Sequence, residues 1–218
     1  LPINFDTPYR AVSVIDFWRR WHMTMTRFFM MYVYSPIALA WGRSAMNRGM
    51  GRWRTFSVAV AAPILVTFLI SGLWHGAGWT FVMFGLVNGI GLVTNHAWRQ
   101  AKLPPLPGVA GWLMTMMTVT ISFVYFRAAD MIQANAMLAA MVSPSTLTVP
   151  NWLSGWADRH ALPWATLGLF NSGAFTAQMA ALLAVAAVLS VVLPNWAKTW
   201  AQLVPGMRLA VATAAMIY

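Results

Sequence analysis

Four histidines, His22, His75, His96 and His160, are the side chains of this sequence best placed to move a proton near neutral pH, because an unperturbed imidazole titrates near 6.5. His75 has the most unusual setting. It lies in SGLWHGAGW, residues 71–79, at the end of a long uncharged apolar run. An ionisable side chain at membrane depth costs roughly 2.5–3.5 kcal/mol even on insertion scales, so it marks a functional position by default. Gly72, Gly76 and Gly78 permit a sharp helix break that leaves backbone groups free to line a cavity, and Trp74 and Trp79 would wall it. A histidine held there can act as a general base. The residue types leave a second possibility open, an imidazole that only hydrogen-bonds at the interface within an aromatic belt.

The remaining candidates are weaker. Ser71 precedes His75 by one helical turn, so a Ser–His nucleophile pair is conceivable, although no acid close in sequence orients the ring. His22, in WRRWH, could hold an anionic group together with Arg19 and Arg20. His96 sits near a helix end and His160 in a polar loop, where ordinary surface histidines are common. The four acids, Asp6, Asp16, Asp130 and Asp158, are far apart and there is no glutamate, which argues against a carboxylate pair. With no cysteine, thiolate chemistry is excluded, and the histidine spacings resemble no metal motif. No metal is expected.

The elements that must position His75 belong to a membrane. The 218 residues are 60% hydrophobic and only 8% charged, against about 25% charged in soluble domains. The net charge of +10 sits in short basic clusters beside apolar runs, a pattern that sets topology and meets anionic lipid rather than nucleic acid. An all-α, polytopic fold of about four to five transmembrane helices, with interfacial and re-entrant helices added, is expected as a single membrane domain over residues 1–218.

In order, residues 1–10 read as an extended lead-in, followed by a basic amphipathic interfacial helix capped by Ser13. Residues 28–41, interrupted by Pro36, are too short to span and read as re-entrant. Residues 42–54 read as a flexible basic loop that fixes the cytoplasmic side. Residues 55–74, with a kink at Pro63, and 79–98 form a helical hairpin with His75 at its turn. After LPPLPG, a third span starts near Val109 and ends at Arg127, and 130–140 continue as a helix. Residues 143–171 read as a loop, 174–193 as a fourth span, and 203–218 as the start of a fifth.

Three stretches carry a resemblance: NFDTPYRAVSVIDFWRRWHMTMTRFF, TFLISGLWHGAGWTFVMFGLVNG and FVYFRAADMIQA. They resemble the membrane-bound O-acyltransferase family on its alginate O-acetyltransferase branch, over roughly the first 140 residues. The pairing of WRRWHMT with SGLWHGAGW, their histidines 53 positions apart, is specific. The resemblance implies a catalytic His75 and a second functional histidine at His22. It further implies transfer of an acyl group, acetyl from acetyl-CoA on this branch, to an exported polysaccharide such as alginate. A periplasmic acetyltransferase partner and the bacterial inner membrane belong to the same expectation. Donor binding by Arg19, Arg20 and the 43–54 segment is inferred from charge rather than from the motif. MMYVYSPIALAWG departs from the branch, which carries an Arg-Asp pair before the Tyr-Val-Tyr and a Pro-Leu-Gly-Gly turn after it. The chain is expected to be a C-terminal portion, and the alternative function is a catalytically incomplete transport or scaffold subunit of a polysaccharide-modification complex.

Overall fold

The computed structural model describes residues 3–142 and 177–193, and every regular element among them is helical. The nine α-helices, preceded by a single turn at Pro8–Arg10, are α1 Val14–Arg20, α2 Met23–Phe29, α3 Ser35–Asn47, α4 Arg52–Phe56, α5 Ala62–His75, α6 Trp79–Gln100, α7 Gly108–Arg127, α8 Met131–Val142 and α9 Ala177–Val192. Ser13 caps α1 by accepting from the Asp16 backbone N–H at 3.1 Å, which satisfies one of the donors that a helix start leaves open. Asp130 caps α8 in the same way at 2.7 Å, and Gln133 reaches back to the Ala129 N–H at 2.8 Å. The arrangement resembles a capping box, with the return bond taken from the residue before the cap.

Neither Pro36, expected to interrupt its segment, nor Pro63 ends its helix. A wide π turn, Met30–Tyr34, joins α2 to α3, so the helix passes Pro36 and runs from 23 to 47 without interruption. A second π turn, Ser57–Ala61, lies ahead of Pro63 and makes Arg52–His75 one continuous rod. Each proline falls in the first turn after the π turn, where the altered hydrogen-bond register already removes the need for its missing N–H. The expected basic loop is likewise short. Arg43 is in α3, Arg52 and Arg54 are in α4, and only residues 48–51 turn. Gly49 provides that stop, with φ 61° and its N–H on the Met46 carbonyl at 2.9 Å, a conformation that suits glycine.

Arg52–His75 and Gly108–Arg127 are long and apolar enough to cross a bilayer. Between them α6 runs 22 residues, about 33 Å at 1.5 Å per residue. Asn88 inside it is fully buried and donates to the Phe84 carbonyl at 2.9 Å. Of the expected fourth span, 174–193, the described residues contain α9, Ala177–Val192. At its end the Arg10 guanidinium meets the Val191, Val192 and Leu193 carbonyls, the last at 3.1 Å, as a cation suits a helix C-terminus. The expected loop over 143–171, including Asp158 and His160, and the expected fifth span from Leu203 lie outside the described residues.

The α5–α6 hairpin is built on backbone proximity. A Cβ on Gly72 would stand 2.3 Å from the Phe81 carbonyl oxygen, and one on Gly85 would stand 2.3 Å from the Phe68 carbonyl oxygen. Small residues of this kind let helices in a membrane approach until their backbones touch. Around the hairpin, Phe17 and Trp18 of α1 and Val119, Val124 and Tyr125 of α7 form the buried core with Phe84 of α6. Replacement of Gly85 by Ala is expected to lower stability by about 1–3 kcal/mol through overpacking. Gly51→Ala, where a Cβ meets nothing within 4 Å, should stay within about 0.5 kcal/mol. Thermal unfolding of both variants in detergent measures the contrast.

Candidate active site

His75 is the last residue of α5, and residues 76–78 carry the chain into α6. The expected hairpin turn is therefore present, with the imidazole at its tip. Gly76 is required there for space, because a Cβ would enter the Phe81 ring at 2.4 Å. The His75 ring is held by aromatic edges. Its centroid is 5.0 Å from Phe126 and 5.7 Å from Phe84, both nearly perpendicular, and Trp74 packs at 4.8 Å. Such edge-to-face contacts each contribute about 0.5–1.5 kcal/mol beyond area burial. No protein group among the described residues hydrogen-bonds to the His75 ring nitrogens, which leaves the imidazole chemically available.

His22 occupies the break between α1 and α2. Its φ of 44° and ψ of 52° put it in the left-handed region, where a residue with a Cβ costs roughly 1–2 kcal/mol. Neighbours on the N-terminal segment hold it there. The Asp6 N–H donates to the Arg20 carbonyl at 2.8 Å, and the Met23 N–H donates to the Asn4 carbonyl at 2.8 Å. Asn4 Oδ1 also lies 3.3 Å from His22 Nδ1. A strained residue over-determined by its surroundings is a common mark of a functional site.

A chain of rings links the two histidines. From His22 it passes through Phe5 at 5.8 Å to Trp21 at 5.0 Å, then Phe123 at 5.5 Å and Phe126 at 6.3 Å, and so to His75. Phe17 stacks on Trp21 from the other side at 5.6 Å. Residues 53 positions apart in sequence thus share one aromatic wall.

The two arginines flanking this segment separate. Arg20 Nε donates to Asp16 Oδ1 at 2.8 Å and its guanidinium also reaches the Asp6 carbonyl, so its role is to lock α1 and the lead-in. Arg19 instead lines a cavity of about 230 Å³ with Tyr34, Trp18, Thr67, Ser71 and His96. Neither His75 nor His22 is in the cavity wall, but Ser71 is, one turn before His75 on the same helix. No hydrogen bond joins Ser71 to His75 among the described residues. His96 and Tyr34 were not distinguishable in the sequence from an ordinary helix-end histidine and an aromatic of an apolar run. The antiparallel register of α5 and α6 brings His96 to the cavity, and the π turn between α2 and α3 brings Tyr34. Among the described residues no group of three or more His or Asp side chains could hold a metal.

The sequence that builds this hairpin and its two histidines is similar to that of known proteins. Residues 1–130 fit the sequence profile of the membrane-bound O-acyltransferase family. The chain belongs to that family, whose members are integral to membranes. It is 38% identical over 145 residues to the peptidoglycan O-acetyltransferase of Helicobacter pylori, covering 65% of this chain and 25% of that one. It is 33% identical over 140 residues to a probable alginate O-acetylase of Azotobacter vinelandii, covering 64% and 26%. A teichoic acid D-alanyltransferase of Streptococcus thermophilus is 32% identical over 141 residues, covering 57% and 32%. The chain spans about a quarter to a third of the length of these relatives.

The ring wall gives a direct test of how the two histidines are held. Trp21→Ala removes the Phe17 stack and the contacts to Phe5, Tyr9 and Phe123. It is expected to cost about 3 kcal/mol, the lower end for a Trp→Ala change in packed surroundings, read as a lower unfolding temperature in detergent.

Proposed function

We propose that this chain carries the catalytic part of a membrane O-acyltransferase in which His75 is the general base. The observation that supports this most is His75 itself, presented at a hairpin tip with no hydrogen bond to its ring nitrogens among the described residues, and one turn beyond a cavity lined at its other end by Arg19 and His96. In the step we assign, His75 takes the proton from an acceptor hydroxyl as its oxygen attacks the carbonyl of a thioester. The C–S bond breaks, and the proton passes on to the departing thiolate to give an ester and a free thiol. A positioned base of this kind contributes roughly 10²–10⁴ to rate. His22 assists from the neighbouring break.

The donor in this reading is a cytoplasmic thioester, acetyl-CoA, and the cavity suits it. Gly72 faces Gly85 across the hairpin, so Ser71 and His96 are separated by about 16 Å of helix at 1.5 Å per residue. That length accommodates an extended thioester arm, and Arg19 and His96 supply charge and hydrogen bonds for a phosphate at the far end. Arg19, rather than the ion-paired Arg20, is the donor contact. The acceptor is an exported polysaccharide such as alginate, reached with a periplasmic acetyltransferase partner, and the chain resides in the bacterial inner membrane as a multi-pass protein. Relatives named for peptidoglycan, alginate and teichoic acid share hydroxyl-bearing envelope polymers as their common chemistry.

Labelled acetyl transfer from acetyl-CoA, in membranes matched for abundance, should fall by at least about 100-fold in His75→Ala. Undiminished transfer by that variant would remove the role. Copurification of a partner by a wild-type chain that turns over no acetyl-CoA would favour a transport or scaffold subunit instead. Arg19→Met should raise KM for acetyl-CoA, while Arg20→Met should lower thermal stability through loss of the Asp16 pair and leave KM for the donor in place.

A further inference from the structure

Asn4 Oδ1 receives three contacts. The Thr24 backbone N–H donates to it at 3.0 Å, the Thr24 hydroxyl donates at 2.8 Å, and His22 Nδ1 stands 3.3 Å away. A backbone N–H can only donate, so the atom it meets must be the amide oxygen and the orientation of the Asn4 side chain is fixed. A carbonyl oxygen can only accept. The His22 nitrogen facing it must therefore carry a proton, which settles the tautomer of the neutral ring.

We infer that Asn4 is a positioning residue for His22: it holds the imidazole as the Nδ1–H tautomer and leaves Nε2 as the atom that exchanges protons during acyl transfer. This rests on the reading of His22 as a functional residue. The same side chain also explains how a left-handed histidine is kept in place. Met23 N–H donates to the Asn4 backbone carbonyl, so Asn4 binds the α1–α2 break through main chain and side chain at once, and the Phe5 ring next to it packs on His22. Without Asn4 the ring loses the acceptor that distinguishes its two nitrogens. Loss of such an orienting partner typically reduces activity 10–100-fold.

The test uses the full chain in lipid vesicles with ¹⁵N-labelled histidine imidazoles, the His22 signals being those missing from His22→Ala. Wild type at a pH where the ring is neutral should show a protonated Nδ1 and an unprotonated Nε2. Asn4→Asp keeps an acceptor oxygen and should keep that pattern. Asn4→Ala should give a mixture of tautomers, with kcat for acetyl transfer reduced roughly 10–100-fold and KM for acetyl-CoA unchanged. A protonated Nε2 in the wild type overturns the inference without recourse to any variant. Wild-type kcat and an unaltered tautomer in Asn4→Ala, beside an inactive His22→Ala, overturn it as well. Full transfer by His22→Ala would instead defeat the functional reading of His22, while the nitrogen signals still decide what Asn4 does to the ring.

Discussion

The close approach of α5 and α6 is the constraint on which the other features depend. A bilayer offers no hydrophobic force between helices, so association has to come from van der Waals packing and backbone proximity. Gly72 and Gly85 supply it by letting each helix rest on the other's carbonyl groups. That contact fixes the antiparallel register, and register determines everything laid along the hairpin. It puts Phe84 beside His75 and His96 on the wall that also contains Ser71. A side chain at either glycine would push the helices apart and slide the cavity relative to the imidazole.

His75 needs both insulation and access, and the hairpin tip reconciles them. Three aromatic rings surround the imidazole without offering a hydrogen bond, so among the described residues its nitrogens remain available. Phe126 brings the end of α7 to the same point and Phe123 connects it to Trp21. The wall is thereby shared by three segments far apart in sequence. A base that kept a strong internal partner would be easier to bury but less able to accept a substrate proton.

The hairpin and its histidine were legible in the sequence because they follow from strong local signals: an uncharged run, a glycine break, and a second run. The all-helical membrane fold follows equally from composition. What was not legible depended on weaker or non-local physics. Pro36 suggests an interruption, yet the π turn before it absorbs the missing donor and the helix continues from 23 to 47. Residues 42–54 read as loop by glycine and charge, but α3 and α4 take most of them into helices. Arg19 and Arg20 are equivalent by charge. Only the helix's three-dimensional placement sends one to Asp16 and the other to the cavity.

The α1–α2 break shows why local propensity alone would misjudge this part of the chain. No helical or strand preference favours a histidine at φ 44°, and a glycine at position 22 would relieve the strain. The lead-in segment offsets it with six hydrogen bonds to residues 20–24, three at its main chain and three accepted by the Asn4 side-chain oxygen from His22 and Thr24, each with a net contribution of about 0.5–1.5 kcal/mol. Their sum exceeds the roughly 1–2 kcal/mol of a left-handed residue. The residues before α1 are therefore not a passive connection to the membrane surface. They hold an unfavourable backbone turn closed, and the product of that turn is an imidazole placed on the same aromatic wall as His75.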